Sequence, residues 1–179
     1  MASIRRLVSI ALTTVLVLTH ASYSTHVQKS SNPAVSLDNG LTIQGTVSSS
    51  TPNVAQFLGV PYAKSPLGSL RFAPPEPYSP VNGTILNGTV LPPSCMQYQT
   101  SLPSFAVWIP HFQIGSAGIS EDCLTVSIWT PATTTGNESL PVLIWIYGGA
   151  FVTGGVDIEW QDPAQWVQRT QGHVVVALK

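Results

Sequence analysis

Apolar and polar positions alternate along several short stretches of this sequence. Leu41-Thr42-Ile43-Gln44-Gly45-Thr46-Val47 follows an Asn39-Gly40 turn signal and reads as a half-buried strand. Val54 to Val60 is expected as its antiparallel neighbour, across the Ser/Thr/Pro/Asn-rich turn between them. Cys123 to Trp129 alternates again and stops at Pro131. Two further runs, Pro141 to Tyr147 and Val174 to Leu178, are apolar at almost every position, the pattern of strands buried on both faces. Trp160 to Thr170 predicts a short helix with Ala164 and Val167 inward. Residues 24–34 are polar and read as a frayed start, while residues 61–94 hold most of the prolines and read as an irregular covering segment. Doubly buried strands call for helices on both faces of a sheet. One modest helix is on offer before the sequence stops at Lys179. The pattern therefore predicts the opening part of a larger α/β domain, cut before its helices arrive.

The first residues change the picture of where this protein works. Arg5 and Arg6 precede an uncharged apolar run, Leu7 to Leu18, and small residues follow at Ala21, Ser22 and Ser24. That order is the signature of a secretory signal peptide, placed at residues 1–23, and the run falls short of the roughly 20 residues a membrane span needs. Residues 24–179 then form the domain. Only 8% of the residues are charged, against a usual share of about a quarter. Removing the signal leaves five basic against eight acidic residues, a formal charge of −3. With no basic cluster to hold phosphates, nucleic acid is not an expected partner. The two cysteines, Cys95 and Cys123, make an even count in an oxidising compartment, and a bridge would close a loop of 29 residues. Zinc is not expected, because these cysteines lack the short spacing and histidine partners it requires, and nothing calls for another metal or a cofactor. Asn82-Gly83-Thr84, Asn87-Gly88-Thr89 and Asn137-Glu138-Ser139 are glycosylation acceptor sequences, each in a stretch where a surface loop is expected.

The candidate chemistry lies in Leu143-Ile144-Trp145-Ile146-Tyr147-Gly148-Gly149-Ala150-Phe151. A strand running straight into glycines leaves backbone N–H groups at its C-terminal edge, where they can stabilise a developing negative charge. The same residues also suit a plain Gly-rich corner where a strand turns sharply.

Three blocks, in order, resemble the type-B carboxylesterase family, which contains cholinesterases and fungal lipases. Glu121-Asp122-Cys123-Leu124 to Pro131 resembles the family's EDCL signature. Phe57 to Ala63 with Leu70-Arg71-Phe72-Ala73-Pro74-Pro75 is similar to its N-terminal block. Trp145 to Phe151 is similar to its oxyanion-hole block, written with three glycines in many members, and alanine at the third position tilts the reading toward fungal lipase-like members and an ester or lipid substrate. The resemblance spans residues 38–179 and implies an α/β-hydrolase fold, with small antiparallel N-terminal strands leading into a mixed, mostly parallel central sheet. It implies hydrolysis of carboxylic esters by a Ser-acid-His triad, N–H donation from Gly149 and Ala150 with Gly148 as the turn residue, a Cys95–Cys123 disulfide, and a structural ion pair between Arg71 and Glu121. The disulfide loop carries Phe105 to Pro110, which reads either as a lid touching lipid or as side chains tucked against the domain. Trp108 does not sit where cholinesterases place a choline-binding tryptophan.

The triad itself is not found. No G-x-S-x-G occurs, and Gly115-Ser116-Ala117-Gly118 is preceded by Ile114 rather than glycine, so Ser116 is not the nucleophile. His20, His26, His111 and His173 all precede the region where the family has its catalytic histidine. The resulting expectation is the first third of a secreted ester hydrolase, truncated before the nucleophile elbow and inactive by itself. The alternatives are a non-catalytic cholinesterase-like adhesion or binding module and a truncated product.

Overall fold

A computed structural model describes residues 32–99 and 113–179. In chain order the strands among these residues are β1 (Ala34–Ser36), β2 (Thr42–Gln44), β3 (Val54–Pro61), β4 (Ile85–Asn87), β5 (Ser94–Cys95), β6 (Ile119–Ser120), β7 (Thr125–Pro131), β8 (Val142–Ile146) and β9 (Val174–Leu178). The single α-helix among them, α1 (Ala164–Thr170), lies between β8 and β9.

Four strands form the main sheet, in the order β3-β7-β9-β8. β3 and β7 pair antiparallel, as do β7 and β9, while β8 and β9 run parallel. The parallel pair is the one joined through a helix, as a parallel crossover requires. Antiparallel pairings thus outnumber parallel ones in this sheet, against the mostly parallel expectation, because only one strand–helix–strand unit is present among the described residues.

Alternation along β7 decides what each face touches. Trp129 joins Val54, Leu58, Val175 and Ala177 under the helix residues Ala164 and Val167. Val126 and Ile128 point the other way, against a cluster of Leu41, Ile43, Ala55, Phe57 and Val60. The sheet is therefore covered by α1 on one face and by the small sheet β1-β2-β4 on the other. A bulge between Phe57 and Val60 keeps both halves of β3 in phase with these layers. At the start of α1, Asp162 Oδ1 accepts from the Ala164 N–H at 2.8 Å, and Gln171 ends the helix in a left-handed conformation.

Four expectations need correction. β2 does not lie along β3; it pairs with β1 antiparallel and with β4 parallel, and touches β3 only at the Thr46–Gln56 bridge. The stretch expected to fray ends in β1, which Ala34–Ser36 forms by pairing with β2. The proline-rich segment is not wholly irregular, since its proline-free portion holds β4. Most consequentially, β8 is exposed along its whole length, with Ile144 at 66% and Ile146 at 69%. It pairs on one edge only, and α1 shields the β7–β9 region rather than β8.

Candidate oxyanion site

Beyond β8 the chain packs Tyr147 against the main core and then turns sharply. The turn closes on one carbonyl: Gly149 O accepts from the N–H of Val152 at 3.0 Å and of Thr153 at 3.1 Å. Gly149 has φ 148°, and a Cβ there would overlap the Thr153 carbonyl, so glycine is required. Ala150 and Phe151 follow with φ 54° and 59°, both left-handed. Such conformations cost about 1–3 kcal/mol each in non-glycine residues and persist where the surroundings enforce them. Among the described residues, nothing accepts from the N–H of Gly149 or Ala150. Two adjacent backbone donors without an internal partner, at the C-terminal end of a sheet strand, suit a developing oxyanion.

The far end of the turn is held by residues that pattern reading passed over. Gln97 Oε1 accepts from Thr153 Oγ1 at 2.7 Å and from the Gly154 N–H at 2.8 Å. Its Nε2 donates to Gly154 O at 2.7 Å and to Cys95 O at 3.1 Å. Asp157, buried in Val156-Asp157-Ile158, accepts from Ser94 Oγ and, at 2.8 Å, from the Gly115 N–H. Lys179 Nζ lies 3.5 Å from Asp157 Oδ1 and donates to Pro92 O at 2.6 Å and Pro93 O at 2.8 Å. Both charges are almost wholly removed from water, at 1% and 2% side-chain exposure, and each is supported by further hydrogen bonds, as a buried pair must be. Burial lowers the Lys179 pKa, opposed by the Asp157 charge. Burial raises that of Tyr147, reinforced by Asp157. The available signals were weak: Asp157 stands between Val156 and Ile158, and Lys179 follows the apolar run Val174 to Leu178.

Cys95 and Cys123 form a disulfide with Cα atoms 5.1 Å apart. Arg71 Nη2 lies 2.6 Å from Glu121 Oε1, so this pair is also brought together, with Arg71 largely in water. Asn82, Asn87 and Asn137 are all exposed; Asn87 ends β4 rather than standing in a loop, and its Oδ1 accepts from Thr89 Oγ1 at 2.7 Å. Ser116 sits in an exposed turn. His173 Nδ1 is 3.0 Å from Thr170 Oγ1, and its ring packs on Trp166 at 4.4 Å. The signal segment, His20, His26, His111, Trp108 and the Phe105–Pro110 patch lie outside the described residues. Among the described residues no group of His, Cys, Asp or Glu could hold a metal ion, and no helix is long and apolar enough to cross a membrane.

Residues 31–179 match the family model described as "Carboxylesterase family". The chain belongs to this family. It is 39% identical over 140 residues to a protein named secreted lipase 5 from Gibberella zeae, covering 72% of this chain and 26% of that protein. It is 45% identical over 141 residues to one named chlorogenic acid esterase from Aspergillus niger, covering 76% of this chain and 27% of the relative. Against a protein named cocaine esterase from Homo sapiens the identity is 44% over 108 residues, covering 60% and 19%. The chain thus spans about a quarter or less of the length of these relatives. Carboxylesterase membership implies the α/β-hydrolase fold.

Proposed function

We propose that this chain carries the oxyanion-binding part of a secreted serine ester hydrolase. The carrying observation is the pair of N–H groups at Gly149 and Ala150 that have no acceptor among the described residues, held in a strained turn after β8. In α/β-hydrolases a donor comes from the loop between the third sheet strand and the next helix. Here β8 is the third strand of the main sheet in chain order, and its loop leads to α1. When a serine attacks the ester carbonyl, the carbonyl oxygen gains the charge and these donors stabilise it, by about 10²–10³ in rate per donor. The alcohol then leaves with a proton from the general acid, and water releases the carboxylic acid. Alanine at position 150 keeps the N–H that this role requires.

No G-x-S-x-G elbow occurs in the 179 residues, and on this reading the chain alone is inactive. Its substrate is a carboxylic ester, lipid or aryl. Export is supported by the disulfide and the exposed Asn82, Asn87 and Asn137, which would carry glycans. Reading the coding sequence past Lys179, then assaying the complete product and the 179-residue chain on a p-nitrophenyl ester, tests this. A G-x-S-x-G elbow with hydrolysis by the complete product alone supports the reading. An elbow without serine and no hydrolysis would assign the chain to a binding module, and hydrolysis by the chain alone would refute its inactivity.

A further inference from the structure

Resting on that reading, we propose that Gln97 is a positioning residue that sets the direction of the Ala150 N–H through the Thr153–Gly154 segment. A carboxamide has two donor hydrogens and two acceptor lone pairs. Gln97 uses all four: Oε1 toward Thr153 Oγ1 and the Gly154 N–H, Nε2 toward Gly154 O and Cys95 O. Exchanging its oxygen and nitrogen would face N–H groups with N–H groups and oxygen with oxygen, so one orientation of the amide is imposed. The side chain therefore pairs with both polar atoms of Gly154 while standing on the backbone of a disulfide-bonded residue.

The connection to the donors runs through covalent geometry. The Thr153 N–H and the neighbouring Val152 N–H both donate to Gly149 O. Gly149 C=O and Ala150 N–H belong to one planar peptide unit, so fixing the carbonyl fixes the opposed N–H. Loss of the Gln97 amide frees Thr153 and Gly154, lets the Gly149 carbonyl turn, and misaims the Ala150 donor. Misaiming a transition-state donor lowers kcat and leaves substrate binding nearly unchanged.

The test uses the complete gene product carrying Gln97→Ala or Gln97→Glu. For Gln97→Ala the expected result is a kcat lowered by about tenfold to a hundredfold, with KM changed by less than about threefold and the disulfide intact by thiol titration. Gln97→Glu discriminates a positioning role from a packing role. Its carboxylate keeps the two acceptor contacts but turns lone pairs toward Gly154 O and Cys95 O. Protonation restores one donor. The rate of Gln97→Glu relative to the parent protein should therefore rise as pH falls through the carboxyl pKa. Asp157, Lys179 and Tyr147, packed about the same loop, are common to both proteins and cancel in the ratio. A flat ratio, or an unchanged kcat in Gln97→Ala, overturns the proposal. A second readout does not need hydrolysis: amide hydrogen exchange of a peptide covering residues 148–156 should quicken by about tenfold or more in Gln97→Ala, with β7 unchanged. If the parent protein cleaves no ester, the functional reading fails while this exchange measurement still decides the clamp: faster exchange supports it and unchanged exchange refutes it.

Discussion

Strands β7 and β8 belong to one sheet, separated only by β9, yet they face different surroundings. β7 alternates buried and half-buried positions, and Trp129 is 1% exposed beneath α1. β8 is apolar at all its positions and exposed at all of them, with Trp145 at 42%. The contrast separates intrinsic pattern from supplied cover. β7 has a helix on one face and a small sheet on the other. β8 has the composition of a doubly covered strand and, among the described residues, pairing to β9 without the layers its sequence anticipates. The Gly148–Phe151 turn hangs from the end of this strand and is anchored from its far side, through Gln97, Ser94 and Asp157.

The sharpest way to break the comparison is to truncate both tryptophans. Trp129→Ala should destabilise the chain by about 3–5 kcal/mol, the range for emptying a buried aromatic site. Trp145→Ala in the same chain should cost under about 1 kcal/mol, since half-exposed positions rarely exceed that. Urea unfolding midpoints check both. If the complete gene product covers β8, the Trp145→Ala cost should rise there toward the Trp129 value, and equal costs in the short chain would contradict the contrast.

Removing the anchor is the next largest perturbation. Replacing Cys95 and Cys123 together by serine opens a loop whose ends are 28 positions apart, an expected loss of about 3–4 kcal/mol on the chain-entropy account. The loss should also reach the turn, quickening exchange at residues 148–156 more than along β7, because Gln97 stands on Cys95. Uniform change would show that the disulfide and the turn are not mechanically joined.

The smallest effect is in alkaline titration. Tyr147 titrates above its ordinary 10.0, through burial and then the Asp157 charge. A phenol raised in this way contributes stability below that value and loses it as pH climbs through the folded pKa. Lys179 titrates below its ordinary 10.5, chiefly through burial. There the unfolded chain binds more protons between the two values, so stability rises with pH in that window. The opposed slopes should leave a shallow alkaline limb. Tyr62 is raised too, by burial and then by Tyr147. Ultraviolet tyrosine titration should therefore show a late-ionising phase for both phenols, and its reduction in the Tyr147→Phe protein assigns the Tyr147 share.

How far the sequence carried depended on whether structure was local. β7, β8, β9 and α1 were legible because their periods are imposed by neighbours within the same run, and Ala164 and Val167 face inward as their spacing requires. The partner of β2 was not, because pairing among short strands is decided by the β4 segment more than forty residues away. The turn at Gly148 to Phe151 was visible as glycines after an apolar strand. Its anchoring was not, since Gln97 is an unremarkable polar residue until the fold sets it against Gly154. The Asp157–Lys179 pair was not legible, since Asp157 is one of three acids within six positions and nothing in the sequence near Lys179 names it as a partner.

The most direct test is the turnover of a soluble aryl ester by the complete gene product carrying Gly149→Ala, with Ala150→Gly beside it. A methyl at Gly149 collides with the Thr153 carbonyl and displaces the donor turn, whereas glycine at 150 suits the left-handed backbone already there. Both proteins are compared at matched foldedness by circular dichroism. The account predicts a kcat reduced by about 10²–10³ for Gly149→Ala at nearly constant KM, with Ala150→Gly within about threefold of the parent. A folded Gly149→Ala protein turning over at the parent rate would contradict it.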